Sequence, residues 1–173
     1  MPSTYTLIKG ETLASSAASY TFTGIPSTFT DLVFRWSVRA ATDTNPSSCS
    51  IEFNSNTTQG SATYLRVDAA GSPVSLNRTS VTAYDRFASV ASDLTANTFS
   101  NGELYIPNYT SSTNKPSSMF NVNENNASVA ALSPLIAAGL FSNTSTISTI
   151  LFKQLSGNLA AGSSFYLYGV KNA

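Results

Sequence analysis

Apolar and polar residues alternate with a period of two through much of this chain. The longest such run, Phe29 to Ala40, predicts a strand with two unlike faces. Leu32, Phe34, Trp36 and Val38 fall on one side, and Val33, Arg35, Ser37 and Arg39 on the other. The aromatic side is the expected core face, and Arg35 and Arg39 are expected on a solvated one. Ahead of this run, Ser19 to Thr23 alternates Tyr20 and Phe22 with small polar residues. Gly24-Ile25-Pro26 ends it, because proline has no N–H to give to a central ladder. Behind it, Asp43-Thr44-Asn45-Pro46-Ser47-Ser48 reads as a turn cluster.

Shorter runs follow at Ser50–Asn54, Thr63–Asp68, Val81–Val90, Glu103–Ile106, Ser117–Asn123, Ile147–Leu155 and Ser164–Val170. The stretch Ala127 to Phe141 approaches helical spacing through Val129, Leu132, Leu135, Ile136, Leu140 and Phe141. Pro134 and Gly139 oppose a continuous helix there, so two strands, or one strand and an irregular bend, are expected. About nine to eleven short antiparallel strands separated by turn clusters predict an all-β fold. A sandwich or closed barrel fits, and a jelly-roll-like sandwich filling residues 1–173 as one domain is the preferred reading.

Composition changes this picture in one respect. Only 10% of the residues are charged, and nine bases cancel nine acids. Serine, threonine and asparagine supply close to four residues in ten instead. No basic stripe is present to release counterions from phosphates, so nucleic-acid binding is not expected. No run approaches the ~18 apolar residues of a membrane-spanning helix, so no membrane association is expected either. The opening Met1-Pro2-Ser3-Thr4-Tyr5 lacks a basic region followed by an apolar stretch, and the chain is expected to fold in the cytoplasm where it is made.

Catalytic chemistry finds little support. The chain has no histidine and one cysteine, Cys49, which excludes Ser-His-Asp and Cys-His arrangements, histidine-ligated zinc and intrachain disulfides. Cys49 is read as a small, inert, buried residue. Nine carboxylates could always supply a pair in space, but no spacing singles one out, and the chain is not expected to be an enzyme or to hold a cofactor. Asn121-Val122-Asn123-Glu124-Asn125-Asn126 has oxygen ligands suited to calcium but lacks the order of an EF-hand loop, so it reads as a hydrogen-bonded turn and no metal is expected.

Surface recognition remains. The last strand carries Phe165 and Leu167 on one face and Tyr166, Tyr168 and Val170 on the other, which suits burial on one side by the core and, on the other, either a neighbouring subunit or a half-exposed sheet face that tyrosine tolerates. Tyr105-Ile106-Pro107-Asn108-Tyr109-Thr110 combines rings with amides and hydroxyls, a composition able to stack on sugars. Tyr105, Tyr109, Tyr166 and Tyr168 are therefore the candidate interface or glycan contacts.

Several segments together resemble a group of small structural proteins of tailed bacteriophages. They are Met1-Pro2-Ser3-Thr4-Tyr5-Thr6-Leu7-Ile8, Ile25-Pro26-Ser27-Thr28-Phe29-Thr30-Asp31-Leu32-Val33, the stretch from Tyr105 through Pro116, and Ala161 through Lys171. The resemblance implies a β-sandwich virion component, without a catalytic motif to carry over. Two roles compete. A capsid decoration or cement protein would bind the assembled shell and stabilise it. A protein associated with a tail fibre or spike would bind the host surface, with a glycan as candidate ligand. The length spent on one compact domain favours decoration. Its expected partners are the major capsid protein or tail proteins, and its own copies in a homo-oligomer, a trimer being one arrangement. A free lectin-like module is the third hypothesis.

Overall fold

The computed structural model describes residues 4–42, 44, 47–67, 71–123 and 134–171. Twelve strands are named: β1 (Tyr5–Thr12), β2 (Ser19–Phe22), β3 (Asp31–Val38), β4 (Ser48–Phe53), β5 (Gly60–Val67), β6 (Pro73–Val81), β7 (Tyr84–Ala88), β8 (Ser100–Ile106), β9 (Lys115–Val122), β10 (Leu135–Phe141), β11 (Ile150–Gln154) and β12 (Ser164–Val170). No helix occurs among the described residues. The fold is an all-β sandwich. An eight-stranded sheet runs β1-β12-β3-β8-β9-β10-β5-β6, and a four-stranded sheet runs β2-β11-β4-β7. Every named strand pair is antiparallel.

Alternation explains which face each strand buries. Phe34 and Trp36 of β3, Leu104 of β8, Met119 of β9, Tyr64 of β5 and Phe165 and Leu167 of β12 point inward from the larger sheet. They meet Phe22, Ile51, Phe53, Phe87, Ile150 and Phe152 from the smaller one. Phe152 touches four rings at once, those of Phe34, Trp36, Phe87 and Phe165, with centroids 5.2–6.1 Å apart. Tilted and edge-on pairs of this kind add about 0.5–1.5 kcal/mol each beyond the area they bury.

Several buried polar side chains are paired. The Trp36 indole N–H donates to Asn121 Oδ1 at 3.0 Å, and Asn121 Nδ2 donates to the Ala88 carbonyl, tying the two sheets together. Asn123 Nδ2 does the same to the Ser89 carbonyl. These two side chains are thereby committed to the core, and the rest of the turn once considered for calcium, Glu124 to Asn126, lies outside the described residues. Cys49 is fully buried, its thiol facing Gln154 Oε1 at 3.2 Å.

Twelve strands are one more than the upper end of the expected nine to eleven. β1 and β6 are edge strands, mostly exposed, each pairing on one side only within the larger sheet. Little in β6 alternates between apolar and polar, and Pro73 opens it where no N–H is required. The expected run at Val81–Val90 narrows to β7, since Val81 ends β6. Of the ambiguous stretch, Leu135–Phe141 is a strand and 127–133 lies outside the described residues.

Candidate functional site: the outer face of the larger sheet

The side of the eight-stranded sheet turned away from the core is apolar across its middle. Two adjacent register rows make it. One runs Leu7–Tyr168–Val33–Tyr105–Ser118–Ala138–Thr63 from β1 to β5. The other runs Gly10–Tyr166–Arg35–Glu103–Phe120–Ile136–Leu65. Among the described residues nine large apolar side chains stand exposed, and eight belong to this sheet: Tyr5, Leu7, Leu65, Tyr105, Phe120, Ile136, Leu140 and Tyr166. Taking roughly 200 Å² for each such side chain in full exposure, their exposures sum to on the order of 700 Å². The Arg35–Glu103 pair stands between Tyr166 and Phe120 in the second row, yet the total exceeds the roughly 300–600 Å² that the largest apolar patch of a typical soluble monomer covers.

Local contacts hold the rings in place. Tyr105 donates its hydroxyl to Asp31 Oδ2 at 2.8 Å, while Asp31 Oδ1 accepts the Asn108 N–H at 2.9 Å. That hydrogen bond to the carboxylate raises the Tyr105 pKa. Tyr166 lies across Gly10, where a Cβ would come within 2.8 Å of its ring, so a glycine is what lets the tyrosine cover the edge strand. Tyr168 sits edge-on to Tyr5 at 6.4 Å and beneath the Arg35 guanidinium at 5.8 Å. Arg35 Nε in turn donates to Glu103 Oε2 at 2.7 Å, which raises the arginine pKa. Arg35 and Glu103 are the charged members of the two rows, and they cancel.

Between β8–β9 and β10–β5 the face dips. Tyr105, Glu103 and Phe120 border a depression of about 510 Å³ on one side, and Ile136 and Leu65 on the other. The small side chains of Ser118, Ala138 and Thr63 line it as well. Among the described residues no three acidic, histidine or cysteine side chains gather as metal ligands.

The four tyrosines read from the sequence therefore separate. Tyr105 and Tyr166 are exposed on this face, and Tyr168 is half-buried beside them. Tyr109 is not a surface contact: it is wholly buried, packed in the main core, and donates its hydroxyl to the Pro26 carbonyl. The turn after β8 carries its ring back under the sheet, and that burial raises its pKa. Arg39, expected on a solvated face, instead grips the segment from Ser92 to Thr98. Phe120, Ile136 and Leu65, which the sequence reading passed over, complete the band. Their signal was available, since β9 places Met119 inward and Phe120 outward, and β10 is apolar on both faces.

No protein-family model matches this chain, and no curated protein matches it. Among solved structures, lectin I of Ulex europaeus in complex with the methyl glycoside of α-L-fucose is similar at 9% identity, covering 97% of this chain and 99% of that one, with a TM-score of 0.19. A superposition that loose identifies neither a shared fold nor a shared ligand.

Proposed function

We propose that this chain is a structural protein of a bacteriophage particle, a capsid decoration protein that seats on the assembled shell by the outer face of its larger sheet. The sequence resemblance supplies the particle. The observation that carries the docking is the apolar band itself, which approaches the ~800 Å² that each partner buries in a stable interface. Its occupant is an apolar, sparsely charged surface, because the band offers one neutralised ion pair and no net charge to attract an ionic partner. Each bound copy would then stabilise the shell by mass action, without catalysis. Association of the chain with its own copies, as a trimer for instance, would cover the exposed edges β1 and β6.

Particles lacking the protein test this reading. Added back, the chain is expected to bind them and to raise the temperature at which they rupture. A second reading, a host-binding protein of a tail fibre or spike, draws on the depression between Tyr105 and Ile136, where rings stand beside Glu103 and two hydroxyl-bearing residues. Unchanged rupture temperature with lost adsorption to cells would select that reading over decoration.

A further inference from the structure

A second, chemically different depression lies where edge strand β6 passes edge strand β7. On the outer face of the smaller sheet a register row runs Lys153–Ser50–Asp85. Arg78 of β6 closes it, giving Asp85 Oδ2 two donors, Nε at 3.1 Å and Nη2 at 2.8 Å. Lys153 Nζ meets Glu52 Oε1 at 2.5 Å. Two cations thus answer two carboxylates, and an ion of either sign would meet like charge as well as unlike. Amid them sits Ser50, 1% exposed, whose hydroxyl has no hydrogen-bond partner. Unsatisfied buried hydroxyls are rare in folded proteins and call for an explanation.

The depression, about 270 Å³, is lined further by Thr57, Ser80, Thr82, Val81 and Leu155. Leu155 is the ninth exposed large apolar side chain, the one outside the larger sheet. Both neighbouring pairings are irregular here. The β5–β6 register shifts between Gly60 and Ser61, leaving Ser80 at φ 54°, and the β4–β7 register shifts between Cys49 and Ser50. Bulges turn side chains out of the regular row, and here they bring hydroxyls and an apolar lip around one hollow.

We infer that this hollow binds one hexopyranose unit of a carbohydrate. A sugar hydroxyl both donates and accepts, which matches a rim holding the Asp85 carboxylate, the Arg78 and Lys153 cations and the hydroxyl of Ser50. Val81 and Leu155 cover the C–H face of the ring. The volume falls below the ~300–1,000 Å³ that larger ligands occupy, which suits a single ring. The site lies on the side of the sandwich opposite the docking band, so it goes beyond the proposed function and does not depend on it.

The test uses the intact chain alone, titrated by NMR with the methyl glycosides of glucose, galactose, mannose and N-acetylglucosamine. At least one is expected to saturate in the millimolar range, shifting the amides near Ser50, Thr82 and Leu155. Ser50→Val removes the unpartnered hydroxyl while keeping all four charged side chains, and is expected to weaken binding by roughly tenfold or more. Leu155→Asp, on an exposed lip where folding is not at stake, is expected to do the same. Phe120→Asp, on the other face, is expected to leave it unaltered. The inference is overturned if no glycoside saturates below about 50 mM, if neither variant weakens binding, or if the shifts gather at Tyr105 and Phe120. Because no particle enters this titration, its failure is separate from failure of the decoration reading.

Discussion

At position 102 a side chain of any size would have to displace the Trp36 indole. A Cβ built on Gly102 would clash with that ring and come within 2.6 Å of the Phe120 carbonyl oxygen. The indole cannot yield, because Asn121 holds its N–H and Phe87 and Phe152 hold its faces. Overpacking a core costs about 1–3 kcal/mol when neighbours can move. Here Gly102→Ala is expected at or above the top of that range, read as a fall in the urea midpoint at unchanged m-value. Tyrosines impose a second residue-scale constraint. Burial pushes the Tyr84 pKa up to about 12, and burial likewise raises that of Tyr64. A group whose folded pKa lies above its unfolded value near 10 stabilises the fold fully below that pH, and the contribution is lost as pH rises through the folded value. Lys115 works the other way: buried, its ammonium donating to the Thr113 and Asn143 carbonyls at 3.0 and 2.7 Å, it has a lowered pKa and relieves a penalty as pH climbs. With Tyr105 and Tyr109 raised as well, four tyrosines outweigh one lysine, so stability is expected to decline above about pH 10. Tyr84→Phe should flatten that decline, and tyrosinate absorbance of the parent should appear together with unfolding.

Among the elements, the segment following β7 shows how one side chain can stand in for a strand. Arg39 donates Nη1 to the carbonyls of Thr95 and Thr98 at 2.7 and 3.1 Å, and Nη2 to those of Ser92 and Leu94 at 3.1 and 3.0 Å. Four backbone acceptors with little ladder pairing of their own converge on one cation. Hydrogen bonds to a charged group contribute about 1.5–3 kcal/mol each at most, and they do not add. Arg39→Met, which keeps the stem, is expected to cost about 3 kcal/mol. Amide exchange should quicken across residues 92–98 and little elsewhere. The alternation of β3 announced its strand but not this clamp, because a period-two pattern says only that position 39 points away from the aromatic face. The same limit explains the rest. Strands buried on one face, such as β2, β3 and β12, were legible residue by residue. β6 was not, since an edge strand that packs on one neighbour needs few apolar positions. Tyr109 misled because a tyrosine in a proline turn has the same composition whether its ring turns out or under. Of the docking band, Tyr105, Tyr166 and Tyr168 could be read from single strands. Phe120, Ile136 and Leu65 become a site only when β9, β10 and β5 stand side by side, and that order is set by pairings distant in sequence.

For the whole molecule, the division of chemistry between its two outer faces sets what holding it in place would require. The larger sheet offers an apolar band whose ion pair, Arg35 with Glu103, is already satisfied within the chain. The smaller sheet keeps its charges on the far side, Lys153 with Glu52, and Asp85 with Arg78 reaching over from β6 of the larger sheet. Docking through the first face, as proposed, would therefore be driven by burial of rings and aliphatic chains, and long-range charge steering would add little to it. Raising salt from about 50 mM to about 0.5 M screens exposed charges but leaves apolar burial intact, so affinity for the particle is expected to hold or rise slightly across that range. Ile136 and Phe120, 55% and 44% exposed, make the decisive substitutions because neither supports the core. Ile136→Asp with Phe120→Asp places two uncompensated carboxylates in a surface that must lose its water on docking. Burying such groups without partners costs several kcal/mol, enough for at least a hundredfold loss of affinity by roughly 1.4 kcal/mol per decade. The melting temperature of the free chain should move little, since the fold does not bury either residue. Retained binding by that double variant would place the contact on some other face, and a strong fall of affinity with salt would show that charge, not apolar area, holds the protein to its partner.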